Sequence, residues 1–473
     1  MTPRQPCPAM PAPLEEYAVQ FDDLFCHRAQ RRSFRDYLQG LLLPRDRNKT
    51  LTALAGTEPG VGAQAAAVQR LQSFVSESTW EATAVNQRRL ELLQADSRTT
   101  THEEGVLVID DTGDRKSRKQ TAHVGRQYLG SIGKIDNGLV VVSTLWADEE
   151  RYYPLHAEPY TPARRLPKGK ADAAFRTKPR IALQLIEAAL KAGVLFRAIV
   201  ADSGYGANPT FVGELLEEGL PYVVSVKPSE GLWAPAAAVQ TPQAAAAELP
   251  WQDAAEPGPW VAVVRSFHDG HTETWWAAEL VYGPYGPQRP VRRLVATTDP
   301  RRLPAASSWY IETNLPAPGS RPAKKSPLRA ASIAEVVRLY GLRGWVEQSY
   351  KQLKNELGWA DAMVRAELAL RRHWLLIFCA FTFCWLHWLR TASATVAGVA
   401  HQPPLQSAGK KREPLQWATW PCTLRRVRRR LTPWMVLQRW WQAWTYGPPP
   451  AELQRLLDWI TDGNALNLYL APS

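Results

Sequence analysis

The run Val106-Leu-Val-Ile-Asp-Asp-Thr-Gly113 decides the fold class of this chain. Its first four residues are apolar and mostly β-branched, and a run that is apolar on both faces is typical of a central strand. A second apolar run, Phe196-Arg-Ala-Ile-Val-Ala-Asp202, also ends in an aspartate. We therefore predict two buried strands that each end in a carboxylate, at the edge where an open α/β sheet places its site.

The segments around these two runs alternate between strand and helix patterns. Strands are predicted at 139–146, after the hairpin signal Asn137-Gly138, and at 152–160 and 221–226. Helices are predicted at 179–192 and 209–218, while Asp114 is expected in a turn. This order of strands and helices predicts an α/β core.

The rest of the chain divides by composition. We expect a helical N-terminal region at 1–100, which is either a DNA-binding domain or a cap on the core, and a first core segment at 101–228. A β-rich insertion at 229–330 has strand patterns at 260–266, 273–281, 292–298 and 308–313. The second core segment, 331–395, includes a helix from about Asp361 to Arg390, and a basic, Trp-rich region follows at 396–473.

The overall charge favours a polyanionic partner. Lys and Arg number 57 against 45 Asp and Glu, a formal net charge of +12, and such an excess suits nucleic acid or an anionic membrane. The apolar stretch 374–389 is short for a membrane span and is read as a buried core helix. The five cysteines are few, odd in number and irregularly spaced, which indicates reduced thiols in the cytosol.

One helix-sized stretch, Tyr340-Gly-Leu-Arg-Gly-Trp-Val-Glu-Gln-Ser-Tyr-Lys-Gln-Leu-Lys354, places a carboxylate among cations and phenols. On a single helix one stripe would be shared by Tyr340, Arg343, Glu347, Tyr350, Lys351 and Lys354. One interpretation is an amphipathic helix with an Arg343–Glu347 ion pair. The other is a third acidic residue that joins Asp110 and Asp202, since three carboxylates on rigid elements can hold two divalent ions for phosphodiester chemistry.

Taken together, these motifs resemble the DDE transposases of bacterial insertion sequences, whose core has a ribonuclease-H-like fold. Within them the chain is similar to the branch with a tyrosine–arginine–glutamate–lysine signature, whose spacings match Tyr340, Arg343, Glu347 and Lys354. The resemblance covers roughly residues 100–390. It implies a ribonuclease-H-like mixed sheet flanked by helices, with a β-rich insertion.

The resemblance also implies the chemistry. Asp110, Asp202 and Glu347 would be the catalytic, metal-binding triad for two Mg²⁺ ions, which Mn²⁺ could replace. Tyr340, Arg343 and Lys354 would contact DNA, and we add Lys351, Arg115 and Lys116 from the neighbouring basic segments. The expected protein is a cytoplasmic, nucleoid-associated transposase that cleaves transposon ends and transfers strands to target DNA, as a homodimer on double-stranded DNA and without a membrane. A ribonuclease-H-like nuclease or resolvase, or a catalytically silent DNA-binding descendant, is the alternative.

Two assignments depend on weaker signals. Adjacent strand residues face opposite ways, so only one of Asp110 and Asp111 can join the triad. We choose Asp110, because in the family the aspartate is usually followed, after one residue, by Thr or Ser. Here that residue is Thr112. In the insertion, Trp275 and Trp276 would also face opposite sides of a strand. Either one of them contacts a displaced DNA base, or both pack in the sheet.

Overall fold

The computed structural model describes residues 10–229, 232–233, 239–267, 271–280, 291–303, 305–398, 419–444 and 450–462. The chain forms two compact units. The helical unit comprises Met1–Thr100, Arg118–Ala122 and Tyr350–Ser473. The sheet unit comprises Thr101–Ser117 and His123–Ser349.

The helices and strands are numbered in chain order. The helices are α1 Ala12–Val19, α2 Arg28–Leu42, α3 Leu51–Leu54, α4 Ala66–Ser76, α5 Ala82–Ala95, α6 Lys178–Lys191, α7 Ser203–Gly206, α8 Pro209–Glu217, α9 Pro242–Ala247, α10 Ile333–Gly341, α11 Gly344–Asn355, α12 Glu367–Gly398, α13 Trp420–Ala443 and α14 Ala451–Thr461. The strands are β1 Val106–Arg115, β2 Gly125–Leu129, β3 Lys134–Ala147, β4 Tyr152–Tyr160, β5 Ala198–Ala201, β6 Tyr222–Ser225, β7 Leu232–Trp233, β8 Val239–Gln240, β9 Val261–Ser266, β10 Thr272–Glu279, β11 Arg292–Thr297 and β12 Ser308–Thr313.

Ten of these strands form one mixed sheet in the order β2-β3-β1-β5-β6-β12-β11-β10-β9, with β4 also paired to β3. The strands β1, β5 and β6 are parallel neighbours, while β3 runs antiparallel to β1. The apolar runs predicted from the sequence are therefore central strands, and Val106 to Ile109 and Ala198 to Ala201 are fully buried. This confirms the α/β class and is consistent with the ribonuclease-H-like fold.

Two local predictions around β1 are wrong. Asp114 lies within β1 and is buried, so it is not a turn residue. Asn137 and Gly138 lie inside the long strand β3, whereas the connection from β2 to β3 is the short turn Gly130–Ile132 followed by Gly133 at φ 64°. Gly138 is needed for packing, because a Cβ there would lie 2.6 Å from the carbonyl oxygen of Asp114.

The four strands predicted in the β-rich segment are present, and they extend the core sheet through the pairing of β12 with β6. Trp275 and Trp276 face opposite sides, as expected. Trp275 packs with Val263, Ala296 and Val337, and Trp276 packs against the cluster on the other face. Both side chains therefore contribute to the packing of the sheet.

The helical unit is built on α12. Residues Glu367–His387 are long and apolar enough to cross a membrane by length and composition, but 89% of that stretch is buried inside the protein. Helices α1, α2, α4, α5 and α13 all pack on α12, and Tyr17 donates a hydrogen bond to the Cys379 carbonyl at 3.0 Å. Helix α12 is therefore the buried core helix that the sequence predicted.

This helix begins at Glu367 rather than near Asp361, and the Asp361 side chain is bonded elsewhere in the helical unit. Its carboxylate accepts a hydrogen bond from the Lys49 backbone N–H at 2.8 Å and pairs with Arg45 at 2.7 Å. The Lys49 ammonium in turn donates to the carbonyls of Gly40, Leu41 and Leu43 at 2.7–2.9 Å. These bonds satisfy carbonyls that a helix end leaves without intrahelical partners.

Candidate active site

Asp110 and Asp202 lie side by side on adjacent strands. β1 and β5 pair in parallel up to the register pair Ile109 and Ala201, so each aspartate is the next residue along its strand. Strand β5 ends there, whereas β1 continues to Arg115 beside β3. The prediction that Asp110 ends its strand is wrong, but the two carboxylates still meet at the point where β5 leaves the sheet.

The turn after Asp202 fixes its side chain. Asp202 caps the short helix α7, and its carboxylate accepts a hydrogen bond from the Gly204 N–H at 2.9 Å. Helix α7 packs closely on β6 through Gly206, where a Cβ would lie only 2.0 Å from the carbonyl oxygen of Ser225. Gly206 is therefore required for this close approach, because any side chain at this position would clash with β6.

Arg343 connects the three predicted acidic residues. Its guanidinium lies 3.0 Å from an Asp110 carboxylate oxygen, 3.8 Å from one of Asp202 and 3.7 Å from one of Glu347. The Arg343 and Asp110 side chains are 19% and 14% exposed, against 73% for Glu347. The sequence-predicted Arg343–Glu347 pair and the predicted triad are thus parts of one cluster, with the arginine at its centre.

Asp111 faces away from this cluster. Lys178 contacts both of its carboxylate oxygens, at 3.1 and 3.2 Å, and the Tyr205 hydroxyl donates to it at 3.3 Å. Asp110 instead accepts the Asp111 backbone N–H at 2.7 Å and contacts Arg343. The opposite facing of neighbouring strand residues gives the two aspartates different partners, and the choice of Asp110 for the triad stays a prediction.

The carboxyl of Asp110 is held in an unfavourable environment for its charge. Burial raises its pKa to about 7, the Arg343 guanidinium opposes that rise, and the nearby charge of Asp202 adds to it. The Arg343 guanidinium therefore does not fully offset the unfavourable burial of this carboxylate. Arg343 is also incompletely paired, because its buried Nε has no hydrogen-bond partner.

The helix predicted across 340–354 is broken at Arg343. Helix α10 ends at Gly341 and α11 begins at Gly344, because two glycines within four residues disfavour a continuous helix. The break is bridged by tighter backbone bonds, from the N–H of Arg343 to Tyr340 and from that of Val346 to Arg343, both 3.0 Å. Arg343 therefore lies at the junction between α10 and α11.

Tyr340, predicted to bind DNA, is only 7% exposed and packs edge-on against Trp309 at 5.0 Å. The Arg265 guanidinium lies 4.6 Å from the ring centre of Trp309 and 4.9 Å from that of Trp275. A Cβ at Gly341 would lie 3.0 Å from Arg265. The β-rich strands therefore support the helix junction that carries Arg343, through a cation–π cluster.

The remaining predicted DNA-binding residues are cationic and stay predictions. Lys351 and Lys354 follow Glu347 by four and seven residues on α11, which is one helix face; Lys351 is exposed and Lys354 partly buried. Arg115 is exposed at the end of β1 and pairs with Asp136 at 3.0 Å. Lys116 is partly buried, and its N–H bonds to the Asn137 carbonyl.

Sequence reasoning missed the residues on the Asp111 side of β1. Lys178 is the first residue of α6, and Tyr205 lies on α7 shortly after Asp202. Neither was assigned a role from the sequence. The available signal was the strand alternation that separates Asp110 from Asp111. It implied that Asp111 would need partners of its own.

The donor set suits a hard divalent cation. Carboxylate oxygens are the ligands that Mg²⁺ prefers, and Asp110 and Asp202 provide them at adjacent positions of β1 and β5. In the conformation observed the carboxylates converge on Arg343, and the described residues contain no group of three acidic, His or Cys side chains placed to hold a metal. Arg343 is the cation that lies among these oxygens in this conformation.

Comparison with known proteins supports one family. Residues 20–279 match the family model described as DDE superfamily endonuclease, a span that includes Asp110 and Asp202 but ends before Glu347. The chain is also 32% identical over 360 residues to the probable transposase for insertion sequence element IS701 of Microchaete diplosiphon, covering 76% of this chain and 83% of the relative. On this likeness, together with its mixed sheet, the chain belongs to the DDE superfamily of endonucleases.

Proposed function

We propose that this DDE endonuclease is a transposase, which cleaves DNA at the ends of an insertion sequence and joins them to target DNA. Membership of the family makes it an enzyme acting on DNA with a divalent metal ion. The transposase assignment is supported by the name of its relative. The structural observation that supports this active site is the convergence of Asp110, Asp202 and Glu347 on Arg343.

In this proposal Asp110, Asp202 and Glu347 hold two Mg²⁺ ions, for which Mn²⁺ can substitute. When bound, the ions would activate the attacking oxygen and stabilise the leaving one. Water attacks the scissile phosphorus, the P–O3′ bond breaks, and the transposon strand is left with a 3′-OH while its neighbour keeps a 5′-phosphate. That hydroxyl then attacks a target phosphodiester in line, and the target's own 3′ oxygen leaves.

The cations of the chain hold the substrate during these steps. Arg343, Lys351 and Lys354 neutralise phosphates near the cut, and Arg115 and Lys116 extend this contact. Tyr340 fixes the helix junction from its packed position. The proposed working form is a homodimer on two double-stranded ends, in the cytoplasm and associated with the nucleoid.

The deciding experiment incubates the full chain with linear DNA that carries the inverted repeats flanking its gene, a labelled target, and either Mg²⁺ or EDTA. A transposase cuts at the repeat ends and produces joined end–target strands in Mg²⁺ alone. Cleavage without joined strands would make the protein a nuclease or resolvase on the same fold. Binding without cleavage in either Mg²⁺ or Mn²⁺ would make it a silent DNA-binding descendant.

A further inference from the structure

The first turn of α11, which carries Glu347, is attached to the turn between β3 and β4 in the sheet unit. The Glu347 side chain is 73% exposed and meets Arg343 at 3.7 Å. Packing around the side chain therefore constrains its carboxylate little, and the carboxylate goes where the backbone of α11 carries it. Because α10 ends at Gly341, α11 does not continue from α10 and needs an attachment of its own.

Trp345 provides this attachment. It lies two residues before Glu347, and its indole N–H donates a hydrogen bond to the Asp148 backbone carbonyl at 2.8 Å. Its ring stacks on Tyr152, with ring centres 4.3 Å apart and planes 14° from parallel. Tyr152 is itself 3% exposed and pairs with Ala147 across β3 and β4. The polar and the apolar part of the indole are therefore both held, which fixes its orientation.

The β3–β4 turn that receives Trp345 is closed by its own hydrogen bonds. The Asp148 carboxylate is 8% exposed, and one of its oxygens accepts the backbone N–H groups of Glu150 and Arg151 at 2.7 and 2.6 Å. The other oxygen lies 3.2 Å from His102 Nε2. The Asp148 N–H in turn donates to the Arg151 carbonyl at 2.9 Å. Trp345 is thus bonded to a well-ordered corner of the core sheet.

We propose that Trp345 is a positioning residue for the reaction. By fixing the first turn of α11 on the β3–β4 turn, it sets where Glu347 lies relative to Asp110 and Asp202. It acts through Glu347 and not on the reacting atoms. The inference rests on the proposed function, because it takes Glu347 as one of the three carboxylates that hold the metal ions.

The first test needs neither DNA nor metal. Trp345→Ala should speed amide hydrogen exchange at 345–349 by at least about tenfold, because the local opening of this turn becomes easier, while the amides of α10 and β1 exchange as in the wild type. Trp345→Phe, which can still stack on Tyr152 but has no indole N–H, should exchange at an intermediate rate. Unchanged exchange at 345–349, or an increase spread over the whole sheet unit, would overturn the proposal.

The second test is a double-mutant cycle in Mn²⁺ binding to the free protein, measured by electron paramagnetic resonance. Trp345→Ala should weaken binding by about 10–100-fold, as the loss of a group that orients a metal ligand typically does. It should have little further effect in a Glu347→Gln background. Losses that multiply in the double variant would show that Trp345 does not act through Glu347.

The same cycle separates this inference from the proposed function. If Glu347→Gln leaves Mn²⁺ binding unchanged, the role proposed for Glu347 as a metal ligand is rejected, and the positioning role falls with it. If Glu347→Gln weakens binding and Trp345→Ala does not, the positioning role alone is rejected.

Cleavage supplies the third test. At saturating end DNA and at a temperature where every variant is folded, Trp345→Ala should slow single-turnover cleavage by at least about tenfold, since a displacement of about 1 Å can cost about a hundredfold in rate. The dissociation constant for end DNA should not change, and Trp345→Phe should recover part of the rate. A normal rate, or a loss that appears only as weaker DNA binding, would contradict the positioning role.

Two control variants accompany Trp345→Ala. Arg338→Gln removes an ion pair to Glu149 in the same turn, whose side chains are 32% and 54% exposed, and such pairs contribute little. Trp260→Ala removes a tryptophan that is 3% exposed from the cluster with Val295 and Tyr310, so it lowers stability away from α11. Both should cleave and bind Mn²⁺ as the wild type does when folded. A loss in either control equal to that of Trp345→Ala would overturn the proposal.

Discussion

At the scale of single residues, the buried Asp110 carboxyl destabilises the folded protein when it is ionised. Asp110 is 14% exposed, and its burial raises the pKa to about 7 despite the nearby Arg343. The folded state therefore holds a proton on this carboxyl more tightly than the unfolded chain does. Stability from this residue is present at low pH and is lost as the pH rises through about 7, because the unfolded carboxyl ionises more easily.

Asp110→Asn should consequently stabilise the metal-free protein while it abolishes cleavage. The increase in the free energy of unfolding should be near zero below about pH 4. It should reach at most about 4 kcal/mol at about pH 8, because each unit of pKa shift corresponds to about 1.36 kcal/mol. Urea unfolding across this range in EDTA measures it, with Asp111→Asn as control, since that change removes an ion pair and should not stabilise. An Asp110→Asn variant less stable than wild type at the higher pH would contradict this explanation.

Arg343 gives a second prediction at this scale. Its guanidinium contacts all three carboxylates. On the proposed function it would compete with a divalent ion for the same oxygens in the absence of DNA. Arg343→Gln should tighten Mn²⁺ binding to the free protein by roughly tenfold or more, since repulsion between like charges at such distances is worth several kcal/mol at intermediate dielectric.

Binding should be followed by electron paramagnetic resonance at about pH 8.5, because loss of the arginine also raises the pKa of Asp110. Arg338→Gln is the control: Arg338 lies on α10 and pairs with Glu149 and Glu104, outside the cluster. Unchanged or weaker Mn²⁺ binding by Arg343→Gln would show that the arginine orients the carboxylates rather than competing for them.

At the scale of elements, the sequence predicted the strands better than the turns. The apolar runs at Val106 and Ala198 are buried on both faces, and short, β-branched apolar runs of this kind are typical of central strands. The Asn137-Gly138 pair looks like a hairpin turn, but Gly138 is there because β3 packs against the carbonyl of Asp114. Such tertiary contacts between distant segments cannot be read from local sequence.

Helix α7 provides the test at this scale. Gly206→Ala places a methyl group 2.0 Å from the Ser225 carbonyl, so α7 must move away from β6 and take Asp202 with it. We expect a loss of about 1–3 kcal/mol in the free energy of unfolding and at least a tenfold slower cleavage.

Gly130→Ala is the matched control, because a Cβ there meets nothing within 4 Å. It should change stability by less than about 0.5 kcal/mol. A Gly206→Ala protein with normal stability and normal cleavage would mean that the α7 turn tolerates displacement and does not position Asp202.

At the scale of the whole molecule, the net charge of +12 predicts binding to DNA that weakens steeply with salt. The basic run on α13 divides into two classes. Arg425, Arg426 and Arg429 are exposed, whereas Arg428 pairs with Glu356 and bonds to the Leu42 carbonyl at 3.1 Å. The sequence alone did not separate these roles, since all five arginines of the run look alike.

Replacing Arg425, Arg426 and Arg429 by Gln should flatten the log–log salt dependence of DNA binding by up to about 2.7, at about 0.9 for each phosphate that is no longer neutralised. Folding should be unaffected. Arg428→Gln should do the opposite, with lower stability and an unchanged slope. An unchanged slope in the triple variant would identify this run as a solvated surface.

The central claim is that Asp110, Asp202 and Glu347 act together in strand cleavage. Its most direct test is the single-turnover cleavage rate in Mg²⁺ of Asp110→Asn, Asp202→Asn and Glu347→Gln, each at saturating end DNA, with Asp111→Asn alongside. We predict that each of the first three variants cleaves at least about a thousandfold more slowly, as expected when a group that acts in the chemical step is removed. These variants should still bind end DNA. The Asp111→Asn variant should retain cleavage. Near-normal cleavage by Glu347→Gln, or an active Asp110→Asn beside an inactive Asp111→Asn, would contradict the triad.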